Sequence, residues 1–187
     1  GLENDLPLEI NILEGQKTGF FIDQRDNRLL IKNLSQNKRV LNTYCYTGAF
    51  SLSALSGGAT FVTSVDSSSS ALLLAKANTS TYANTTFVES DVIQFLSKID
   101  DDYDIIILDP PAFAKHLSAR HNALQAYKRI NHLAISKVKS GGMVATFSCS
   151  QVISNELFEG AVLAAVIESG RKVNILKRLH QAPDHPV

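Results

Sequence analysis

The sequence predicts an α/β protein with a doubly wound, mostly parallel sheet, and three observations carry that expectation. Short apolar runs alternate with helical patterns from Val40 to Leu179, as in a chain of strand–helix–strand units. One run, Ile105–Leu108 (IIIL), is apolar without interruption, as suits a strand buried on both faces. Polar reactive groups stand where strands should end: Asp66 closes VTSVD, Asp109 closes the isoleucine run, and Cys149 follows the last core strand.

The first forty residues read differently. Leu8–Leu13 (LEINIL) alternates apolar and polar, giving a strand with one buried face. Gly15-Gln16-Lys17-Thr18-Gly19 is a turn into a second strand-like piece, Phe20–Asp23, and Arg25–Leu34 is an amphipathic helix. Residues 1–35 thus form a hairpin and helix extension to a core of residues 36–187. In that core Val40–Cys45 is the first strand, followed by Thr47-Gly48 and a helix to about Ser56. Thr60–Asp66 and Thr86–Glu89 are the next strands, with helices over Ser67–Thr79 and Val92–Ile99. After Ile105–Leu108 come a long helix, Ser118–Val138, the pair Gly141-Gly142 and a strand, Met143–Phe147. Asn155–Ser169 is a helix, and Val173–Leu179 one more strand. A complete sheet of this type would have a further strand, so elements missing at both ends are expected.

Composition narrows the class. A chain of 187 residues with 44% hydrophobic and 19% charged residues is one globular domain able to bury a core without disulfides. No apolar run is long enough to span a bilayer and no signal-peptide pattern opens the chain. Two cysteines, Cys45 and Cys149, make neither a disulfide framework nor a zinc pattern, so a reduced cytoplasmic setting and no metal are expected. Net charge is zero, and composition alone argues for no nucleic-acid partner. Between Lys115 and Asn155, however, there is no Asp or Glu, while Lys115, Arg120, Lys128, Arg129, Lys137 and Lys139 are basic. That span is either a solvated helix face or an electropositive surface suited to phosphates.

Ligands of open α/β sheets bind beyond the carboxyl ends of strands, where strand order reverses. The first such loop, YCYTGAFS, has Gly48 but no G-x-G-x-x-G; it permits close backbone approach to a nucleoside but not the tight pyrophosphate turn. Asp66 can accept both hydroxyls of a ribose or cap the following helix. Asp91, in ESDV, can accept an amine donor from a base or serve as a cap. In LDPPAF the two prolines fix an extended turn without backbone donors, aiming the Asp109 carboxylate and nearby carbonyls into the crevice. Cys149, at a strand end, is either a nucleophile or a small core residue, whereas Cys45 reads as a small buried residue.

Taken in order, GQKTGFFIDQRDNR, NTYCYTGAFS, LDPPAFAK and TFSCS resemble the catalytic domain of the bacterial ribosomal RNA large-subunit methyltransferase I family. The resemblance covers nearly the whole chain. It implies a Rossmann-like, class I S-adenosylmethionine-dependent methyltransferase that makes 5-methylcytosine in 23S RNA in the cytoplasm, without metal or membrane, and is compatible with a dimer. That family also carries an N-terminal PUA-type RNA-binding domain and a complete final strand pair, which the resemblance does not cover. Lys17 and Thr18 are implied to approach the methionine end of the cofactor. Further cofactor contacts are expected from Tyr46, Thr47, Gly48, Asp66, Ser67, Asp91, Val92, Asp109 and Pro110. Pro111, Phe113 and Lys115 are expected to meet the RNA, with Phe113 either stacking on the base or seating the loop.

The implied chemistry needs a cysteine. Cytosine C5 is a poor nucleophile until a thiolate adds to C6, and a thiol with an ordinary pKa of about 8.5 supplies some thiolate at neutral pH. Cys149 is the expected attacking group, with Asp109 hydrogen-bonding N3 or N4 of the ring. Two other readings remain open: a methyltransferase of exocyclic amines that uses the DPP loop without a cysteine, and a non-catalytic module that only binds the cofactor.

Overall fold

The computed structural model describes residues 1–10, 20–100 and 102–180. The chain opens with a small antiparallel hairpin, β1 (Leu2–Glu3) and β2 (Leu6–Pro7). Asn4 and Asp5 make its turn, with φ of 48° and 64°. Two consecutive left-handed residues define the hairpin turn, and Asn and Asp tolerate that geometry better than most side chains. A turn of 3-10 helix at Ile22–Gln24 then leads into α1 (Arg25–Leu34).

The core follows as β3 (Arg39–Thr43), α2 (Ala49–Ser56), β4 (Phe61–Asp66), α3 (Ser69–Asn78), β5 (Thr85–Glu89) and α4 (Val92–Lys98). It continues with β6 (Tyr103–Leu108), α5 (Arg120–Lys137), β7 (Val138–Thr146) and α6 (Asn155–Ser169). Five strands form one parallel sheet in the order β5-β4-β3-β6-β7. The chain runs outward from β3 to β5, then returns to β6 on the other side of β3. This reversal opens a crevice beyond the paired strand ends Thr43 and Leu108, where ligands of such sheets bind.

Alternation along the central strands sorts the core into two layers. Leu41, Ile106 and Leu108 face α4, α5 and α6, packing with Leu96, Ala123, Tyr127, Ile130 and Ala161. Val40, Ile105 and Ile107 face the other way, onto Ile31 of α1 and Phe50, Ala54 and Leu55 of α2. The uninterrupted isoleucines of β6 are therefore apolar because both faces are covered. Ile31 of the extension shares one apolar cluster with Phe50, so α1 is part of the sheet's cover.

Four expectations about elements need correction. Phe20–Asp23 is not a strand: Arg28 draws it back toward α1, its guanidinium lying 4.6 Å from the Phe20 ring centre and donating to the Phe21 carbonyl at 2.9 Å. Of the expected strand Leu8–Leu13, Leu8–Ile10 is not in a strand, and the remainder lies outside the described residues, as does the turn expected at 15–19. Val173–Leu179 joins no strand, and Leu176 is 76% exposed; a strand pattern without a neighbour to take its hydrogen bonds forms no ladder. Gly141-Gly142, expected before the last core strand, instead lies inside it. A register shift between Tyr103 and Ile105 marks a bulge that lets β7 begin at Val138, and a side chain on Gly142 would lie 2.8 Å from the Asp104 carbonyl oxygen.

Candidate active site

The loop from β3 to α2 is bent by three residues in the left-handed region, Tyr44 (φ 53°), Tyr46 (φ 47°) and Gly48 (φ 80°). For tyrosine this backbone is costly and persists only where the surroundings impose it. Asp66, at the end of β4, supplies part of that constraint. Its two carboxylate oxygens accept the backbone N–H groups of Tyr46 and Ser68, each at 2.9 Å. The cap of α3 belongs to the Ser68 hydroxyl, which accepts from the Ala71 N–H at 3.3 Å, and each Asp66 oxygen, with one backbone bond, retains further acceptor capacity. Ser67 is exposed beside it.

Thr47 is buried, and its carbonyl accepts from the Asn78 side-chain amide at 2.9 Å. Asn78 also accepts from the Glu9 N–H at 2.6 Å, tying the N-terminal extension to the same loop. Gly48 packs closely on α3: a Cβ there would lie 2.9 Å from the Cβ of Ala75. Asp91 takes the capping role, accepting from the Gln94 N–H at 2.9 Å, while Val92 is buried in the core. Burial, followed by the acids Asp91 and Asp66, holds the Tyr44 hydroxyl well above the usual tyrosine range.

Beyond β6, Asp109 is half-buried and Pro110 buried, while Pro111 is exposed. The Asp109 Oδ1 accepts from the Gln24 side-chain amide at 3.0 Å, and the Gln24 Oε1 accepts in turn from Asn27 at 2.7 Å. Burial pushes the Asp109 carboxyl up to about 7, with Asp23 adding to the shift and Arg28 and the Gln24 hydrogen bond opposing it. The group is therefore poised to exchange a proton near neutrality.

Cys149 is exposed just after β7, with its Sγ 3.6 Å from the Pro110 carbonyl oxygen. The thiol and the Asp109 loop thus meet at one wall of the crevice. Cys45 is different in kind. It is buried, and burial followed by the negative charge of Asp66 pushes its thiol far above the ordinary cysteine range, so it stays protonated and unreactive.

Phe113 is half-buried, with its ring 4.8 Å from that of Tyr127, and Lys115 is exposed at the end of the loop. In the acid-free span, two bases pair with acids from outside it: Lys128 with Glu168 at 3.0 Å and Lys139 with Asp104 at 3.8 Å. Lys17 and Thr18 lie outside the described residues. Gln24 and Tyr127 are the site residues that sequence reasoning missed. No motif marks either: Gln24 reaches Asp109 across 85 residues of chain, and Tyr127 sits in an ordinary helical pattern. Among the described residues no group of His, Cys, Asp and Glu could hold a metal ion, and no helix is long and apolar enough to cross a membrane.

Comparison with known proteins places this geometry in context. A family model described as S-adenosylmethionine-dependent methyltransferase matches residues 1–187. The chain is 41% identical to proteins named ribosomal RNA large subunit methyltransferase I from Pseudoalteromonas translucida and Escherichia coli, over 99% of its own length and 48% of theirs. It thus spans about half the length of these curated relatives. Among solved structures, a putative methyltransferase, SMU.776, complexed with SAH superposes with a TM-score of 0.84 and 27% identity, covering 100% of this chain and 50% of that one. A putative SAM-dependent methyltransferase from Streptococcus mutans gives 0.77 at 27% identity, covering 88% and 45%.

Proposed function

We propose, for a chain that belongs to the S-adenosylmethionine-dependent methyltransferase family, that it methylates C5 of a cytosine in large-subunit ribosomal RNA with Cys149 as the attacking thiol. The observation that carries this reading is the exposed Cys149 thiol lying 3.6 Å from the carbonyl of Pro110, next in the chain to Asp109. The names of the relatives support the RNA substrate.

The residues present fit the cofactor. Asp66 has both oxygens fixed by backbone N–H groups and keeps lone pairs for two ribose hydroxyls, as dinucleotide-binding folds use a carboxylate at the same place. Tyr46, Thr47, Gly48, Ser67, Asp91, Val92, Asp109 and Pro110 are assigned to the remaining contacts with the cofactor. Lys17 and Thr18 are assigned to the methionine end. When bound, the cofactor supplies a methyl group that an activated carbon can take.

Activation is the task of the protein side chains. The Cys149 thiolate adds to C6 of the cytosine, and electron density moves to N3 and C5. Asp109, with its carboxyl near 7, donates a hydrogen bond or a proton to N3 and stabilises the charge that develops there. After C5 is methylated, a base takes the C5 proton, the C5–C6 double bond re-forms and the C6–S bond breaks to release the thiolate, and a proton taken up at N3 returns to Asp109. Pro111, Phe113 and Lys115 flank the incoming nucleotide, Lys115 toward its phosphates.

The test is methylation of unmodified large-subunit ribosomal RNA by the full chain. Cys149→Ala is expected to abolish transfer while cofactor binding, followed by calorimetry, persists. RNA carrying 5-fluorocytidine is expected to trap a covalent adduct, because fluorine cannot leave as a proton does. Full turnover by Cys149→Ala would exclude the thiol mechanism and favour methylation of an exocyclic amine.

A further inference from the structure

The Cys149 thiol lies between two serines, and both serine side chains turn toward one buried tyrosine. Tyr127, in the middle of α5, is 0% exposed. Its ring is clasped by Phe113 at 4.8 Å and, edge-on, by Phe158 at 5.2 Å. Its hydroxyl accepts from the Ser148 hydroxyl at 3.0 Å and shares a second bond, also 3.0 Å, with the Ser150 hydroxyl. The Ser150 N–H donates to the Ser148 hydroxyl at 3.4 Å, and the Ser150 hydroxyl accepts from the Ala114 N–H at 3.4 Å. These bonds enclose the backbone of Cys149 on both sides and tie it to the loop that begins at Asp109.

Packing alone does not call for this hydroxyl. A phenylalanine would fill the same apolar space without a buried polar atom that must find partners. We propose that Tyr127 is a positioning residue, its hydroxyl holding Ser148 and Ser150 so that the Cys149 thiol stays against the Pro110 carbonyl, at the distance from the base that attack requires. The proposal rests on the reading of Cys149 as nucleophile. Tyr127 touches neither base nor cofactor and acts only through the loop. Ser148 and Ser150 are the other two members of the clamp, and Phe113 and Phe158 set the ring that presents the hydroxyl.

Tyr127→Phe keeps the ring and removes the clamp. With the full chain, unmodified ribosomal RNA and S-adenosylmethionine, kcat is expected to fall roughly 10- to 100-fold, the scale of a small misplacement of a reacting group. The cofactor KM and its calorimetric Kd should stay at wild-type values. The rate of covalent capture by 5-fluorocytidine RNA should fall by the same factor as kcat. Ser148→Ala should act in the same direction, and combining it with Tyr127→Phe should cost little more, because both remove one unit. Wild-type kcat and capture rate in Tyr127→Phe would overturn the proposal, as would a loss of activity matched by an equal loss of cofactor affinity. If Tyr127→Phe does not fold, Ser148→Ala decides the question by the same two measurements. The two readings fail separately: Cys149→Ala inactive with Tyr127→Phe at wild-type rate removes the clamp alone, whereas an active Cys149→Ala removes the nucleophile and the clamp with it.

Discussion

The Asp109 carboxyl should leave a signature in stability that needs no substrate. Its value rises from 3.8 in a free carboxyl to about 7 in the fold, chiefly by burial. The folded state therefore binds more protons than the unfolded chain between these two values, and stability must fall as pH rises through that window. Below 3.8 the group is protonated in both states and costs nothing; above 7 it is ionised in both and the full penalty applies. Integrated from about pH 5 to about pH 8, the shift amounts to roughly 2 to 3 kcal/mol, an upper bound for a half-buried group. Asp109→Asn keeps the acceptor for Gln24 and removes the titration. Urea unfolding of both proteins without cofactor should show the asparagine variant gaining on the wild type as pH rises from about 5 to about 8, by about 2 kcal/mol. Other titrating groups are common to both proteins and cancel in the difference. Parallel stability profiles across that range would refute the claim that the fold holds Asp109 protonated near neutrality.

Two further substitutions test the frame around the site. Gly48→Ala places a methyl 2.9 Å from the Ala75 side chain at a φ of 80°, and should cost about 1 to 3 kcal/mol by chemical unfolding. Glu3→Gln leaves Arg28, whose guanidinium meets Glu3 through two bonds of 2.5 and 2.6 Å, as a buried charge without its partner. A loss of about 3 to 5 kcal/mol is expected, and unfolding at wild-type denaturant concentration would show that the pair is not holding the hairpin to α1.

Where a segment carried its own signal, the sequence was enough. Asn155–Ser169 coincides with α6, and Ile105–Leu108 lies within β6, because apolar period and uninterrupted burial are local properties. Phe20–Asp23 and Val173–Leu179 have comparable local patterns and form no strand, because a ladder needs a partner that composition does not reveal. That Asp66, Asp109 and Cys149 stand at or just beyond strand ends was legible for a related reason: strand ends can be counted along the chain. Gln24 and Tyr127 were not legible. Each acts through contact with a loop distant in sequence, and a Gln or Tyr outside any motif carries no mark of the contact it will make.

Those two contacts explain why irregular loops can serve as a site. Neither LDPP nor SCS is held along its length by a ladder, so each needs support from outside. Asp109 is fixed from one side by the Gln24 amide, itself held by Asn27. Ser148 and Ser150 are fixed from the other by the Tyr127 hydroxyl. The two loops are joined to each other at Ala114–Ser150 and at Cys149–Pro110. On the proposed reading this support orients the thiol and the carboxyl before a substrate arrives, and polar groups fixed in advance need not reorganise as charge develops. The serines on either side of Cys149 belong to that support. They leave the thiol exposed while holding the backbone that carries it, which a buried mid-strand cysteine could not combine.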